Sequence, residues 1–310
     1  MSAAAGHAKR ALGSLLSPQG VIGVAVEAAW IGAHIALYPL GLIEDKLEDA
    51  TNHGVAHLPP AHRGLIVGDV EAAGTPIILV HGVIDNRSIF TVLRRSLRRR
   101  GFGRTYALNY SPLIDDLRVV AERLAALVEE VCEQTGYERV HIIGHSMGGM
   151  VGRYYVQRLG GDSRVHTLCT LGTPHQGSIE ARFIPWPVIQ QLRLDGSIIE
   201  EFALPAPGCT TRFIAIWSDL DQLVLPHRNA RITHPDLRAR NILIRGVGHM
   251  SLPVDRRVVH AISQALAHLD HDGTTISRGA TSIDSTEGRA ESLSKPAGGR
   301  VEPASRLTSG

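Results

Sequence analysis

Short apolar runs alternate with longer amphipathic stretches along the middle of the chain. Residues 76–80 form a continuous apolar run bounded by turn residues, which is typical of a buried strand in a parallel sheet. Residues 88–100 place apolar side chains on one side of a helix and arginines on the other, which predicts an amphipathic helix. Residues 115–135 repeat the helical spacing and end at Gly136, a common helix terminator. Strand and helix are therefore expected in alternation.

The same alternation continues towards the end of the chain. Further strands are predicted at residues 64–67, 105–109, 140–144, 165–171, 212–217 and 241–244, and further helices after residue 146 and at 258–269. Strands and helices in this order predict an α/β fold with a doubly wound, mostly parallel sheet.

Residues 175–207 interrupt the alternation. This insert contains Phe183, Trp186 and Phe202 among four prolines, and a packed sheet does not need it. Two interpretations are open: a small cap or lid over a site, or a plain structural excursion.

Composition divides the chain into one domain and two extensions. With 310 residues and 44% hydrophobic content, it can bury the core of one domain of about 200 to 250 residues. The predicted α/β domain covers residues 61–271, after an apolar or amphipathic helical segment at 1–60. Residues 272–310 are rich in Ser, Thr, Gly and charge and have almost no large apolar residue, which predicts a disordered tail.

Residues 20–43 are almost entirely apolar or small. A helix of this length, at about 1.5 Å per residue, approaches the ~30 Å of a bilayer core. Glu27, however, would cost several kcal/mol in lipid unless it were paired. Three interpretations stay open: a helix docked on the domain or lying at a membrane surface, a membrane span, and an export signal.

Charge and cysteine content exclude several classes of protein. Lys and Arg total 32 against 30 Asp and Glu, so the net charge of +2 indicates no nucleic-acid partner. Cys132, Cys169 and Cys209 form no C-x-x-C pair, which argues against a disulfide framework and favours a reducing compartment. The 16 histidines show no metal-ligand spacing, so no dedicated metal site is expected.

The strongest chemical signal lies at the end of the predicted strand at 140–144. Gly144, His145, Ser146, Met147 and Gly148 have the spacing G-x-S-x-G between an apolar run and a helical pattern. A serine in such a turn takes a strained backbone conformation that lifts its hydroxyl clear of the sheet, and flanking glycines avoid crowding. The helix N-terminus that follows favours a developing oxyanion. Ser146 is therefore a candidate nucleophile.

A serine hydroxyl needs an imidazole to take its proton and a carboxylate to orient that imidazole. Asp219 and Asp221 follow one predicted strand, and His249 follows the next. Side chains two apart in an extended loop point to the same side, so spacing does not choose between the two aspartates.

Together these motifs make the chain resemble the α/β-hydrolase fold, and within it bacterial lipases and esterases. The matching pieces span about residues 75–269, and they are His81-Gly82-Val83, the G-x-S-x-G segment, Leu171 to His175, Ser218 to Val224, and Gly246 to Met250. The order Ser, Asp, His is the order of that fold.

The resemblance implies a role for each matching residue. Ser146 is the nucleophile, His249 is the base, and the backbone N–H groups of Val83 and Met147 form the oxyanion hole. Asp221 is preferred as the acid, because lipases of this fold commonly place the acid just before a short apolar stretch. Shaping of the elbow and the loop is assigned to His81, Gly82, Gly144, His145 and Gly148.

The implied activity is carboxylic-ester hydrolysis, and the resemblance favours a lipase that works through an acyl-enzyme without a cofactor. The expected partners are a lipid or other acyl ester and a membrane surface contacted by residues 20–43. Two alternatives are open: acyl transfer to another alcohol, and a membrane-tethered scaffold without catalysis. The expected location is the bacterial cytoplasm or its membrane, and export is also open.

Overall fold

The computed structural model describes residues 70–267 except for residues 84, 112, 113 and 115. The predictions for residues 1–60, for a strand at 64–67 and for the tail at 272–310 fall outside these described residues. Within the described part, no helix is both long enough and apolar enough to cross a bilayer.

A sheet of six parallel strands forms the centre of the described part. Its order is β2-β1-β3-β4-β5-β6, and every neighbouring pair is parallel. The strands are β1 (Ile77–Val80), β2 (Thr105–Leu108), β3 (Val140–His145), β4 (Val165–Leu171), β5 (Arg212–Trp217) and β6 (Arg238–Leu243). The predicted parallel α/β sheet is confirmed.

The last strand begins three residues earlier than predicted. It was predicted at residues 241–244 but begins at Arg238. Because β6 is an edge strand with exposed or half-buried residues, its first half has no apolar pattern to reveal it.

One short helix precedes the first strand, and the others connect the strands or follow the last one. They are α1 (Val70–Gly74), α2 (Thr91–Arg99), α3 (Leu117–Thr135), α4 (Met147–Arg158), α5 (Pro187–Gln190), α6 (Ser197–Ala203) and α7 (Arg256–Leu266). The helix predicted at 88–100 starts instead with a 3-10 turn, Arg87–Phe90. The side chain of Asp116 caps α3 by accepting from the amide of Arg118, and Gly136 ends the helix with φ of 75°.

Alternate strand residues serve two apolar cores, one on each face of the sheet. In β1, Ile78 and Val80 belong to the core that α3 and α4 cover. Ile77 and Leu79 belong to the opposite core, which α2 and α7 cover. Successive strand side chains point to opposite faces, so the apolar run of a doubly covered strand is continuous.

The strand order brings two loops together. The chain runs from β1 outwards to β2 and then crosses back to β3 on the other side of β1. Val80 pairs with Gly144 near the carboxyl ends of the two strands. The segments that follow β1 and β3 therefore meet, at the place where open α/β sheets bind ligands.

The insert at residues 175–207 contains α5 and α6 and packs against α3 and α4. Phe202 is only 2% exposed and belongs to the same core as those two helices. Phe183 and Trp186 are 80% and 41% exposed. The three aromatic residues of the insert therefore divide between core and surface, and the role of the insert as a cap stays a prediction.

His141 in β3 makes the free energy of unfolding depend on pH. Its ring is fully buried, and neither ring nitrogen has a hydrogen-bond partner among the described residues. Burial lowers the pKa of His141 from 6.5 to about 3, and the nearby His166 adds to this effect. The folded protein therefore keeps His141 neutral, whereas the unfolded chain binds a proton below about pH 6.5. As the pH is lowered from about 6.5 to about 3, protonation of His141 in the unfolded chain should lower the free energy of unfolding by about 1.4 kcal/mol per pH unit.

We expect His141→Phe to reduce the slope of unfolding free energy against pH by the equivalent of about one proton, because the phenyl ring has no titratable nitrogen. Urea unfolding at several pH values between 6.5 and 4.5 measures this slope. The same substitution at His260, which is exposed on α7, is the control and should leave the slope unchanged. An unchanged slope in His141→Phe would contradict the prediction.

Candidate active site

Ser146 occupies the sharp turn between β3 and α4. Its φ of 54° makes it the one non-glycine residue with positive φ in the described part of the chain. The Ser146 amide donates to the carbonyl oxygen of Leu171 at 2.8 Å. Its own carbonyl oxygen accepts from the amide of Gly149 at 3.1 Å and from Oγ1 of Thr173 at 2.9 Å. A strained backbone persists only where its surroundings fix it, and these three bonds do so.

The glycines of the elbow permit a close backbone approach. A Cβ on Gly148 would lie 2.0 Å from the carbonyl oxygen of Val80, and a Cβ on Gly144 would lie 2.5 Å from Cα of Gly149. No side chain fits at either position. The first turn of α4 therefore rests directly on the ends of β1 and β3.

The loop after β1 passes beside Ser146. A Cβ on Gly82 would lie 3.1 Å from Cβ and 3.5 Å from Oγ of Ser146, so only glycine lets the loop come so close. Within the described residues, neither the amide of Val83 nor that of Met147 donates a hydrogen bond. Backbone N–H groups without another acceptor are the kind of donor that an oxyanion needs.

His81 stabilises the backbone of this loop. Its ring stacks on Tyr110 with the centroids 4.2 Å apart, and its Nδ1 lies 2.7 Å from the carbonyl oxygen of Gly82. The Tyr110 hydroxyl donates to the carbonyl oxygen of His81 at 2.5 Å. Burial lowers the pKa of His81, which favours a neutral ring that donates from Nδ1. These contacts fit a residue that shapes the loop.

Asp221 and His249 meet beyond the carboxyl ends of β5 and β6. Nδ1 of His249 lies 2.8 Å and 3.0 Å from the two carboxylate oxygens of Asp221, and both residues are buried. Asp221 also accepts from the amides of Leu223 and Val224, at 2.9 Å and 3.0 Å. The carboxylate is thus held in place and keeps the proton of a neutral His249 on Nδ1.

Asp219 makes different contacts. It accepts from the amide of Gly246 at 2.8 Å, and its other carboxylate oxygen lies 3.2 Å from Nη1 of Arg245. These bonds join the loop after β5 to the loop that carries His249. The spacing in the sequence could not choose between the two aspartates, whereas the structure shows that Asp221 and not Asp219 contacts His249.

The loop after β4 closes around the acid and the imidazole. Gly172 has φ of 56°, and a Cβ there would lie 2.8 Å from Oδ2 of Asp221 and 3.1 Å from Nδ1 of His249. His175, later in the same loop, is buried and its Nε2 lies 2.9 Å from Oγ1 of Thr170. Burial lowers the pKa of His175 well below 6.5. His175 is therefore a neutral structural residue.

Asp85 is a buried residue of the site that the sequence analysis missed. Its Oδ2 lies 3.1 Å from Nδ1 of His145, whose Nε2 lies 3.1 Å from the carbonyl oxygen of His249. The available signal was an ionisable residue only four positions after His81, in the loop that follows the predicted strand at 76–80.

No group of three or more His, Cys, Asp and Glu side chains in the described part is arranged to hold a metal ion. Cys132, Cys169 and Cys209 are all free thiols.

Sequence comparisons match the central part of the chain. A family model described as palmitoyl protein thioesterase matches residues 76–230. The chain is 33% identical over 117 residues to a triacylglycerol lipase of Pseudarthrobacter phenanthrenivorans, covering 35% of this chain and 36% of the relative. It is also 33% identical over 117 residues to a triacylglycerol lipase of Burkholderia plantarii, covering 35% and 32%. The chain thus spans about a third of the length of these relatives.

A structural comparison supports the same fold. The mature form of a Bacillus licheniformis lipase matches with a TM-score of 0.52 and 18% identity, covering 63% of this chain and 92% of that chain. At this identity the likeness shows the fold alone. The predicted α/β-hydrolase fold and the resemblance to lipases and esterases are confirmed.

Proposed function

The chain belongs to the palmitoyl protein thioesterase family, and from this premise we propose that it is a serine hydrolase that cleaves acyl esters or acyl thioesters. The observation that carries the proposal is the strained Ser146, held beside the loop of Gly82. His249 is the base that such a serine needs, and Asp221, hydrogen-bonded to it, is the acid that orients the base.

The proposed reaction begins when His249 takes the proton of Ser146 Oγ and the oxygen attacks the acyl carbonyl carbon. Asp221 offsets the positive charge that develops on the imidazole. The carbonyl oxygen becomes an oxyanion, which accepts hydrogen bonds from the amides of Val83 and Met147.

The tetrahedral intermediate then collapses. The bond to the leaving oxygen or sulfur breaks, His249 gives its proton to that atom, and an alcohol or thiol departs. The acyl group remains as an ester of Ser146. A water molecule attacks this ester while His249 takes its proton, and the second collapse releases the carboxylic acid and regenerates the hydroxyl.

Surface apolar residues near the site support a substrate with a long acyl chain. Leu223 is 46% exposed and follows Asp221 by two residues, and Ile179 is 42% exposed. The amide of Ile179 donates to the carbonyl oxygen of Leu225 at 3.0 Å, which joins the insert to the loop that carries Asp221. Such a surface suits an acyl chain better than a short polar group.

Ester and thioester substrates are both proposed, because the family model names a thioesterase and the relatives are lipases.

Acyl transfer uses the same acyl-enzyme intermediate with an alcohol in place of water, so adding an alcohol acceptor tests whether the enzyme transfers the acyl group. A scaffold without catalysis would not need a strained serine and a buried acid–base pair.

We expect Ser146→Ala and His249→Ala each to lower ester turnover by at least about 1,000-fold, because nucleophile and base act as a unit. Steady-state hydrolysis of p-nitrophenyl esters measures the loss, and circular dichroism checks the fold. Ser163→Ala, at an exposed serine, is the control. A fluorophosphonate probe should label the wild type and not Ser146→Ala. More than a tenth of the activity in either folded variant would refute the mechanism.

Asp221→Asn should lower turnover by at least about 100-fold, because an amide cannot offset the imidazolium charge and favours the wrong tautomer. Asp219→Asn should cost only a few-fold, since its contacts join two loops and do not reach His249. The ratio of kcat/KM between the two variants is the measurement. Equal, mild losses would show that the wrong acid is assigned.

The apolar surface predicts a preference for palmitoyl over butyryl substrates in kcat/KM, for esters and thioesters alike. Leu223→Ser should reduce this preference, because it removes exposed apolar area next to the proposed acid. Leu159→Ser, at a leucine 38% exposed after the end of α4, is the matched control. A steady preference for the shortest acyl group would argue against an acyl-binding role.

A further inference from the structure

A second carboxylate–imidazole pair lies beside the proposed catalytic residues. We propose that Asp85 and His145 form a buried ion pair that positions His249. This inference rests on the proposed function, since it concerns the placement of the proposed base. His145 and Asp85 act as positioning residues, because the contacts that assign them run to His249 and not to a substrate.

The hydrogen-bond partners of the two ring nitrogens indicate that His145 is positively charged and Asp85 negatively charged. Nε2 of His145 lies 3.1 Å from the carbonyl oxygen of His249, and a carbonyl oxygen can only accept, so Nε2 carries a proton. Nδ1 lies 3.1 Å from a carboxylate oxygen of Asp85, which as an anion also accepts. Both ring nitrogens of His145 therefore donate, and the ring is an imidazolium opposite a carboxylate.

Burial makes these bonds strong and mutually dependent. The side chain of His145 is 0% exposed and that of Asp85 is 5% exposed. Charge-assisted hydrogen bonds are roughly twice as strong as neutral ones, and a buried charge needs its partner nearby. Loss of either partner should therefore disturb the other.

The pair connects three separate segments. Asp85 belongs to the loop after β1, His145 ends β3, and His249 lies in the loop after β6. The rings of His145 and His249 are also in contact, with centroids 4.8 Å apart and planes at 46°. Asp221 holds the ring of His249 at Nδ1, while His145 holds its backbone and contacts its ring.

Charge balance gives Asp85 a second effect. In the proposed reaction His249 becomes a cation while the His145 imidazolium lies beside it. Asp221 offsets the charge on His249, and Asp85 offsets the charge on His145. Without Asp85, a protonated His145 would oppose proton transfer to the base.

The first test is His145→Phe, which keeps a ring but removes both N–H donors. We expect kcat for a p-nitrophenyl ester to fall about 10- to 100-fold, because a small misplacement of the base has that effect, while KM changes less than about threefold. His141→Phe is the matched control: it is equally buried in the same strand, and its ring nitrogens bond to no described residue. Its kcat should stay within about twofold of the wild type. A folded His145→Phe with wild-type kcat would overturn the proposal.

Two variants of Asp85 keep the proposal testable if His145→Phe does not fold. Asp85→Ala removes the acceptor of Nδ1 and should lower kcat about tenfold or more. Asp85→Asn keeps the shape and can hydrogen-bond to Nδ1 of a neutral ring that still donates from Nε2, so it should recover much of that loss. Equal losses in the two variants would contradict a positioning role.

NMR of wild-type protein with ¹⁵N-labelled histidine reads the charge directly. Two ring N–H signals that vanish in His145→Phe support the ion pair, and Asp85→Asn should retain only one of them. A single ring N–H on His145 in the wild type would place the proton on Asp85 and overturn the ion pair.

The failures of the two proposals are distinguishable. If the wild type hydrolyses neither esters nor thioesters, the proposed function fails, and the NMR spectrum still decides the state of the pair. If the wild type is active and Ser146→Ala is inactive, but His145→Phe matches the wild type, only the positioning proposal fails.

Discussion

The contact between the first turn of α4 and the end of β1 is the constraint on which the candidate site depends. A Cβ on Gly148 would lie 2.0 Å from the carbonyl oxygen of Val80, so the two backbones touch without any side chain between them. This contact places the N-terminus of α4 next to the loop of Gly82, and Ser146 must take its strained conformation to connect β3 to a helix so placed.

Polar bonds between loops hold the other residues of the site at the same edge of the sheet. Asp219 joins the loop after β5 to the loop after β6 through the amide of Gly246, and Asp221 meets His249 across the same gap. Asp85 and His145 extend the set of bonds to the loop after β1. The pairs Asp221–His249 and Asp85–His145 are buried, and buried polar groups stabilise one arrangement strongly when every member is bonded.

The insert is tied to the helix that starts at the elbow. The guanidinium of Arg153 in α4 is buried, donates to the carbonyl oxygens of His175 and Phe202, and lies 4.1 Å from the Phe202 ring centroid. Burial lowers the pKa of Arg153 to about 9. The insert is thus fastened to the same rigid helix that positions Ser146.

The sequence by itself determined the local elements and the chemistry they carry. Apolar runs and helical spacing predicted the sheet, and the glycines around Ser146 predicted the turn, because each signal arises from residues close in the chain. The order of Ser146, the two aspartates and His249 predicted which segments carry the site. The first half of the edge strand β6 was not predicted, because its exposed and half-buried residues follow no apolar pattern.

Only the tertiary structure decided the contacts between distant residues. Asp85 and His145 are 60 residues apart, and His145 and His249 are 104 apart, so no local pattern encodes their meeting. The choice between Asp219 and Asp221 likewise depends on where the loop after β6 lies. Side-chain type and spacing limit what a segment can form, whereas these partners meet because the parallel sheet brings the loops after β1, β3, β5 and β6 to the same edge.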